Sequence, residues 1–470
     1  MKRREFLAGS AAAALLPLAV RAQGAAALAY PPLLDATQDG AFSLVAQAGT
    51  TVFSGRGTSQ TWGYNQPFLG PTVRVGRRAT RASVSNTLKE AVTVHWHGLV
   101  IPGDVDGGPH QPVAPGETWE PVLDITQPAA TTWYHTHIHE ATARQVYNGL
   151  AGVMHVWDGL DDERGLPSAY GVDDLTLVLQ DRNFTRSGKM TYNPGMQGRM
   201  TGFLGDTMVV NGQIGATAVV PRAVVRLRLL NGSNGRIYTL SMRSGRQMHL
   251  VATDSGYLPE PVTLSGLVLS PGERAEVLID FTDGAPDALT SGSNPNAMMG
   301  GGFNPNDRFE VLPFAVDPAL PTRITRLPGN IGGELPALDA TGAEQRSFTL
   351  DMGMGPAMMF GGGLGINGRS FKMNRLDFSV KKGSMQYWRV SANMLMHPLH
   401  VHGVRFQVVS ENGRQPSPWN QGWKDTVLVN GYVDLLMRFD HPAPENLPYM
   451  MHCHILEHED AGMMAQFTVA

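Results

Sequence analysis

Ten of the 15 histidines stand in four short groups. These are "HWHG" with His95 and His97, "HTH" with His135 and His137, "HPLHVH" with His397, His400 and His402, and "MHCHILEHEDAGMM" with His452, His454 and His458. The last group also holds Met463 and Cys453, the only cysteine of the chain. Imidazole, thiolate and thioether are donors for copper and other borderline or soft metals. One such group could arise by chance, but four of them, two towards each end of the chain, mark metal ligands. A lone cysteine cannot form an internal disulfide, which leaves its sulfur free for a metal.

Strand geometry sorts these donors. Residues i and i+2 share a face of a strand and the residue between them points the other way. In "VTVHWHG", Val92, Val94 and Trp96 can face a core while His95 and His97 point together to the other side. His135 and His137 pair in the same way, as do His400 with His402 and His452 with His454. These eight imidazoles exceed what one ion needs and suit a cluster of two or three. On the opposite face of the last motif lie Cys453, with His397, His458 and Met463. A thiolate, two imidazoles and a weak thioether form the donor set of a blue-copper electron-transfer site. Cys453 would then hold one copper while its neighbours hold others, linked by a short covalent route.

Such a set needs rigid elements to hold it. With 54 Gly and 32 Pro against 17% charged residues, the chain reads as strands and turns rather than helices. Three segments share a lead-in, an alternating strand and a terminal Asn: "VRVGRRATRASVSN" to Asn86, "VPRAVVRLRLLNGSN" reaching Asn231, and "VKKGSMQYWRVSAN" to Asn393. Their spacing is about one domain length, which predicts three copies of one β module. Three β-sandwiches are expected, over 30–160, 170–318 and 345–470. A Pro/Gly-rich linker precedes the third, and two Gly/Met stretches read as surface loops.

Residues 1–22, with Arg3-Arg4, an apolar run from Phe6 to Val20 and Ala22, read as a twin-arginine export signal. The run is shorter than the roughly 20 residues a membrane span needs. A folded, periplasmic protein delivered by the twin-arginine translocon is therefore expected. The signal is basic, so the rest of the chain is more acidic than the −4 net charge of the whole. That argues against a nucleic-acid or anionic-membrane partner.

Together the four histidine motifs resemble, in order and over the whole mature chain, the signatures of three-domain multicopper oxidases. "TWGYN", "VDGGP", "GWKDTV" and "HCHILEHEDAGMM" are especially similar to bacterial copper-efflux cuprous oxidases and bacterial laccases. The resemblance implies three tandem cupredoxin-like Greek-key β-sandwich domains. It also implies four coppers. Cys453, His397, His458 and axial Met463 would hold the type 1 ion, and His95 and His400 the type 2 ion. His97, His135 and His454 would hold one type 3 ion, and His137, His402 and His452 the other. Asp106 and Glu459 match the family's proton-donating positions. The partners implied are dioxygen and a one-electron donor, and the chain is expected to act as a monomer.

The donor is the open question. Oxidation of Cu(I) for copper tolerance is the leading reading, with phenols or aromatic amines as the laccase-like alternative. A copper-sequestering protein without turnover is a reading from a different class. Thioethers favour Cu(I), so Met352, Met354, Met394 and Met396 are candidate substrate ligands, on the expectation that His458 lies near the surface. Two features depart from the cuprous oxidases: the Met-rich insertion is short, and "WRVSANMLMHP" carries no carboxylate. His139 is expected outside the cluster, and His110, His155, His249 and His441 in structural or exposed roles.

Overall fold

The computed structural model describes residues 26–53, 57–298, 307–353 and 363–470. The expected export signal, Met354 and most of the two Gly/Met stretches lie outside them. The described chain is all-β, with six sheets that fall in three pairs. The first pair is built from Leu33–Asp35 to Ala151–Trp157, the second from Asp174–Phe184 to Phe309–Asp317, and the third from Glu344–Met352 to Met464–Val469. Each pair encloses its own apolar core. These are three cupredoxin-like sandwiches.

The repeated Asn-terminated segments are one strand in three settings. Ala79–Asn86, Val224–Asn231 and Met385–Ala392 each pair in parallel with the first long strand of their own domain, at Ala46↔Asn86, Leu179↔Asn231 and Leu350↔Ala392. Asn86 and Asn231 end their strands alike. Each side-chain oxygen accepts from the amide two residues on, at 2.9 Å from Leu88 and 3.0 Å from Ser233, a turn that asparagine favours. Asn393 differs: its oxygen accepts from Met352 N–H at 3.1 Å.

Alternation gives the core face of "VVRLRLLN" correctly, since Val225, Leu227 and Leu229 pack in the second core. Arg226 and Arg228 point the other way yet are buried as well, against Asp161, Asp174 and Glu276. Their acidic partners compensate the charge that burial would otherwise penalise. The linker before the third domain is pinned down: Val224 N–H donates to Ile324 O at 2.8 Å, and Ile331 N–H to Pro259 O at 2.8 Å.

The site-bearing strands lie side by side. His397–Val401 runs antiparallel to Tyr449–Cys453, with His400 opposite His452 and Leu399 opposite Cys453. "HWHG" is not a regular strand. It is an extended segment stitched to Ala130–His135 by the His95↔His135 bridge, so the expected alternation survives. Trp96 faces the first core, edge-on to Phe42 at 5.7 Å, while its two neighbours face the third domain.

Candidate metal centre

Eight imidazoles converge in a chamber between the first and third domains. His95 Nε2 lies 3.3 Å from His400 Nε2. His452 Nε2 lies 3.2 Å from His137 Nε2 and 3.3 Å from His402 Nε2. Ring centroids of His97, His135 and His454 are 5.0 to 5.6 Å apart. All eight are buried. Burial first, then the neighbouring rings, holds His97, His135, His137, His402, His452 and His454 well below the usual histidine range. They are therefore neutral, with lone pairs free to donate.

The surroundings decide which nitrogen points inward. Nδ1 is engaged by Asp106 O for His95 (3.0 Å), Thr136 O for His135 (2.7 Å), Asp425 O for His400 (2.9 Å) and Cys453 O for His452 (3.1 Å). His402 Nδ1 meets Asp106 Oδ2 at 2.7 Å. These contacts turn Nε2 into the chamber. His97 is reversed, its Nε2 meeting Asp425 Oδ1 at 3.1 Å. His97 Nδ1, His135 Nε2 and both His454 nitrogens are buried without any protein partner. Unpaired buried donors of this kind are costly unless something binds them. The residues fit a metal cluster.

A second donor set sits on the far side of Tyr449–Cys453. Cys453 Sγ lies 3.5 Å from His397 Nδ1 and 3.7 Å from His458 Nδ1, and the two nitrogens are 3.2 Å apart. The turn closing the site is fixed by its backbone: Met463 N–H donates to His458 O at 2.9 Å and Cys453 N–H to Met463 O at 3.0 Å. Burial pushes the Cys453 thiol up, a direction that a bound cation would invert. Burial likewise lowers His458 to about 4.

Asp106 and Glu459 flank the cluster. Besides its contact with His402, Asp106 leaves Oδ1 buried and unpartnered. Glu459 places its oxygens 3.3 Å from His137 Nδ1 and 3.3 Å from His452 Nδ1, and burial raises it well above the usual carboxylate range.

Of the other expectations, those for His458 and Met352 need correcting. His458 is 0% exposed, because the short helix Gly195–Thr201 of the second domain covers it and Met200 O accepts from its Nε2 at 3.0 Å. Met352 is 2% exposed within the third core, placed there by its strand parity. Met394 is 44% exposed, and Met396 is tied by its backbone to Asn296 at 2.8 and 2.9 Å. His139 stands apart from the cluster, against Phe371. His155 is buried on Thr176, and His110 meets Gln466. Asp425 and Arg274 carry no role in the sequence reading, although Asp425 lies inside the "GWKDTV" motif.

Three sequence models of the multicopper oxidase family match residues 45–160, 130–289 and 339–470. The chain belongs to the multicopper oxidase family. Among solved structures it is similar to the laccase-like multicopper oxidase CueO of Ochrobactrum sp., described as having oxidase activity towards lignin model compounds and lignosulfonate. That likeness has 39% identity and a TM-score of 0.88, over 94% of this chain and 100% of that one. McoA of Aquifex aeolicus matches at 30% identity and a TM-score of 0.83, over 95% and 99%. Among curated proteins the cell division protein FtsP of Escherichia coli K12 is 36% identical, over 100% of this chain and 99% of that protein. FtsP of Xenorhabdus nematophila is 37% identical, over 100% and 98%. The family implies copper, and the donor sets above accord with it.

Proposed function

We propose that the protein is a periplasmic copper enzyme that oxidises Cu(I) and reduces dioxygen to water, for copper tolerance. The observation that carries this reading is the pair of linked donor sets: His452, Cys453 and His454 are consecutive, and their side chains serve both. The chain carries all twelve donor residues that the resemblance assigns to copper, and the relatives it matches include proteins named for cell division. The sets would hold about four coppers per chain, assigned as the resemblance implies. Among the described residues no helix is long and apolar enough to cross a membrane. Export through the twin-arginine pathway and a monomeric state complete the reading.

Bound copper would supply one-electron transfer from the donor and the multi-electron reduction of dioxygen. The chain's own residues supply the rest. Cys453 joins the two sets through single peptide bonds, a short covalent path. Glu459, its carboxyl raised by burial and 3.3 Å from two cluster histidines, is placed to give protons during reduction. Asp106 orients His402 and, through its backbone carbonyl, His95. Burial of all eight imidazoles would shield the site from bulk water.

The covered His458 supports a small donor over an aromatic one, since the helix Gly195–Thr201 stands between its ring and solvent. A second reading, oxidation of phenols, has its own observation. A cleft of about 510 Å³ lies beside that helix, lined by Glu140, Arg144, Tyr192, Arg199, Glu457 and Asp460 among others. Such a volume suits a small organic molecule. Steady-state oxygen uptake by the copper-loaded protein, comparing Cu(I) with a phenol, separates the two. Uptake with neither donor would leave copper sequestration as the better reading.

A further inference from the structure

All twelve proposed copper ligands come from the first and third domains, yet two side chains of the second, Arg274 and Ser255, meet Asp425 beside the cluster, Ser255 Oγ donating to Asp425 Oδ2 at 2.9 Å. Arg274 begins the strand Arg274–Asp280 and is 1% exposed. Its guanidinium grips Asp425 of the third domain with both ends of the fork, Nη1 to Oδ1 at 2.7 Å and Nη2 to Oδ2 at 2.5 Å. Nε donates to Thr131 O of the first domain at 3.0 Å, and the same Nη groups donate to Gly272 O and Asp254 O of its own domain, each at 2.9 Å. One residue therefore ties three domains together at the edge of the chamber.

Held this way, Asp425 has one orientation. Oδ1 accepts from His97 Nε2 at 3.1 Å, and its backbone carbonyl accepts from His400 Nδ1 at 2.9 Å. His97 is the imidazole whose ring is reversed, its Nε2 held by Asp425 Oδ1 and by Thr426 Oγ1, each at 3.1 Å. Gly98 makes room for the arrangement. It adopts φ +89°, and a Cβ there would stand 2.5 Å from Arg274 Nη2 and 2.8 Å from Asp425 Oδ2.

We infer that Arg274 is a positioning residue of the copper cluster, fixing Asp425 so that His97 presents Nδ1 and His400 presents Nε2 to the metals. The inference rests on the copper reading above. Partners that orient a ligand through its other nitrogen typically change metal affinity about 10–100-fold when removed.

The test uses the full-length protein, copper-loaded, with Arg274→Met and Arg274→Lys beside the wild type. Copper per chain, its retention against a chelator, and the electron paramagnetic resonance spectrum are measured together with the blue absorbance. Arg274→Met is expected to keep the blue colour, because His397, Cys453 and His458 do not touch Asp425. It should lose cluster copper about 10–100-fold more readily and show an altered spectrum for what remains. If Arg274→Met does not fold, Asp425→Asn, nearly identical in shape, carries the same expectation. Wild-type copper retention and spectrum in the folded variant, or full rescue by Arg274→Lys, which lacks the fork, would overturn the inference. A wild-type protein with neither blue colour nor bound copper would instead overturn the copper reading itself.

Discussion

Cys453 is the residue at which the two donor sets meet. Replacing it with serine removes the one thiolate while nearly keeping volume. Cys453→Ser is expected to abolish blue absorbance and oxidase activity together, at a stability cost of about 1–3 kcal/mol for burying a hydroxyl. A blue Cys453→Ser protein would contradict the assignment. His452→Ala should do the reverse, losing oxygen consumption while most of the blue colour survives, as read by oxygen electrode and visible spectrum. The methionines divide by burial. Met352→Leu is expected to leave the KM for Cu(I) unchanged and to cost less than about 1.5 kcal/mol, because this side chain packs in the third core. The convergence of the eight histidines was legible because residue type and i, i+2 spacing carry it. Met352 was misread because a Met-rich sequence does not reveal which thioethers are buried.

At the scale of elements, the helix Gly195–Thr201 and its stop at Gly202 control what reaches His458. Gly202 adopts φ +82°, and a Cβ there would meet Ile455 Cγ2 at 2.7 Å and Gly235 Cα at 2.9 Å. Gly202→Ala should therefore displace the helix from His458. The expected outcome is a destabilisation of about 1–3 kcal/mol with a rise in kcat/KM for a phenol relative to Cu(I). An unchanged ratio would mean that donors reach the electron-accepting site elsewhere. This helix was invisible in the sequence: "GMQGRMTG" is rich in glycine, a poor helix former, and tertiary packing holds it. The strands were more legible, since alternation marked Val225, Leu227 and Leu229. Alternation could not show that Arg226 and Arg228, on the opposite face, meet acids from elsewhere in the chain.

Those arginines join the first two domains of the molecule and give it a pH dependence. Burial would raise Asp161, but Arg226 and Arg228 outweigh it and hold its carboxyl below the usual range. A folded value below the unfolded one contributes stability that is present above about pH 4 and lost as pH falls. The metal-free protein should accordingly lose thermal stability on acidification, and Asp161→Asn should flatten that slope while lowering the plateau. The three-fold repeat was legible at this scale through Asn86, Asn231 and Asn393. The second domain's hold on the cluster was not, because Arg274 and Asp425 meet only after folding. If the two donor sets act as one oxidase, the ratio of donor oxidised to dioxygen consumed is fixed. With the copper-loaded protein, and Cys453→Ser as the blank for uncatalysed oxidation, about four Cu(I) should be oxidised per dioxygen with no peroxide released. A ratio of about two with peroxide accumulating, or uptake no faster than the blank, would contradict it.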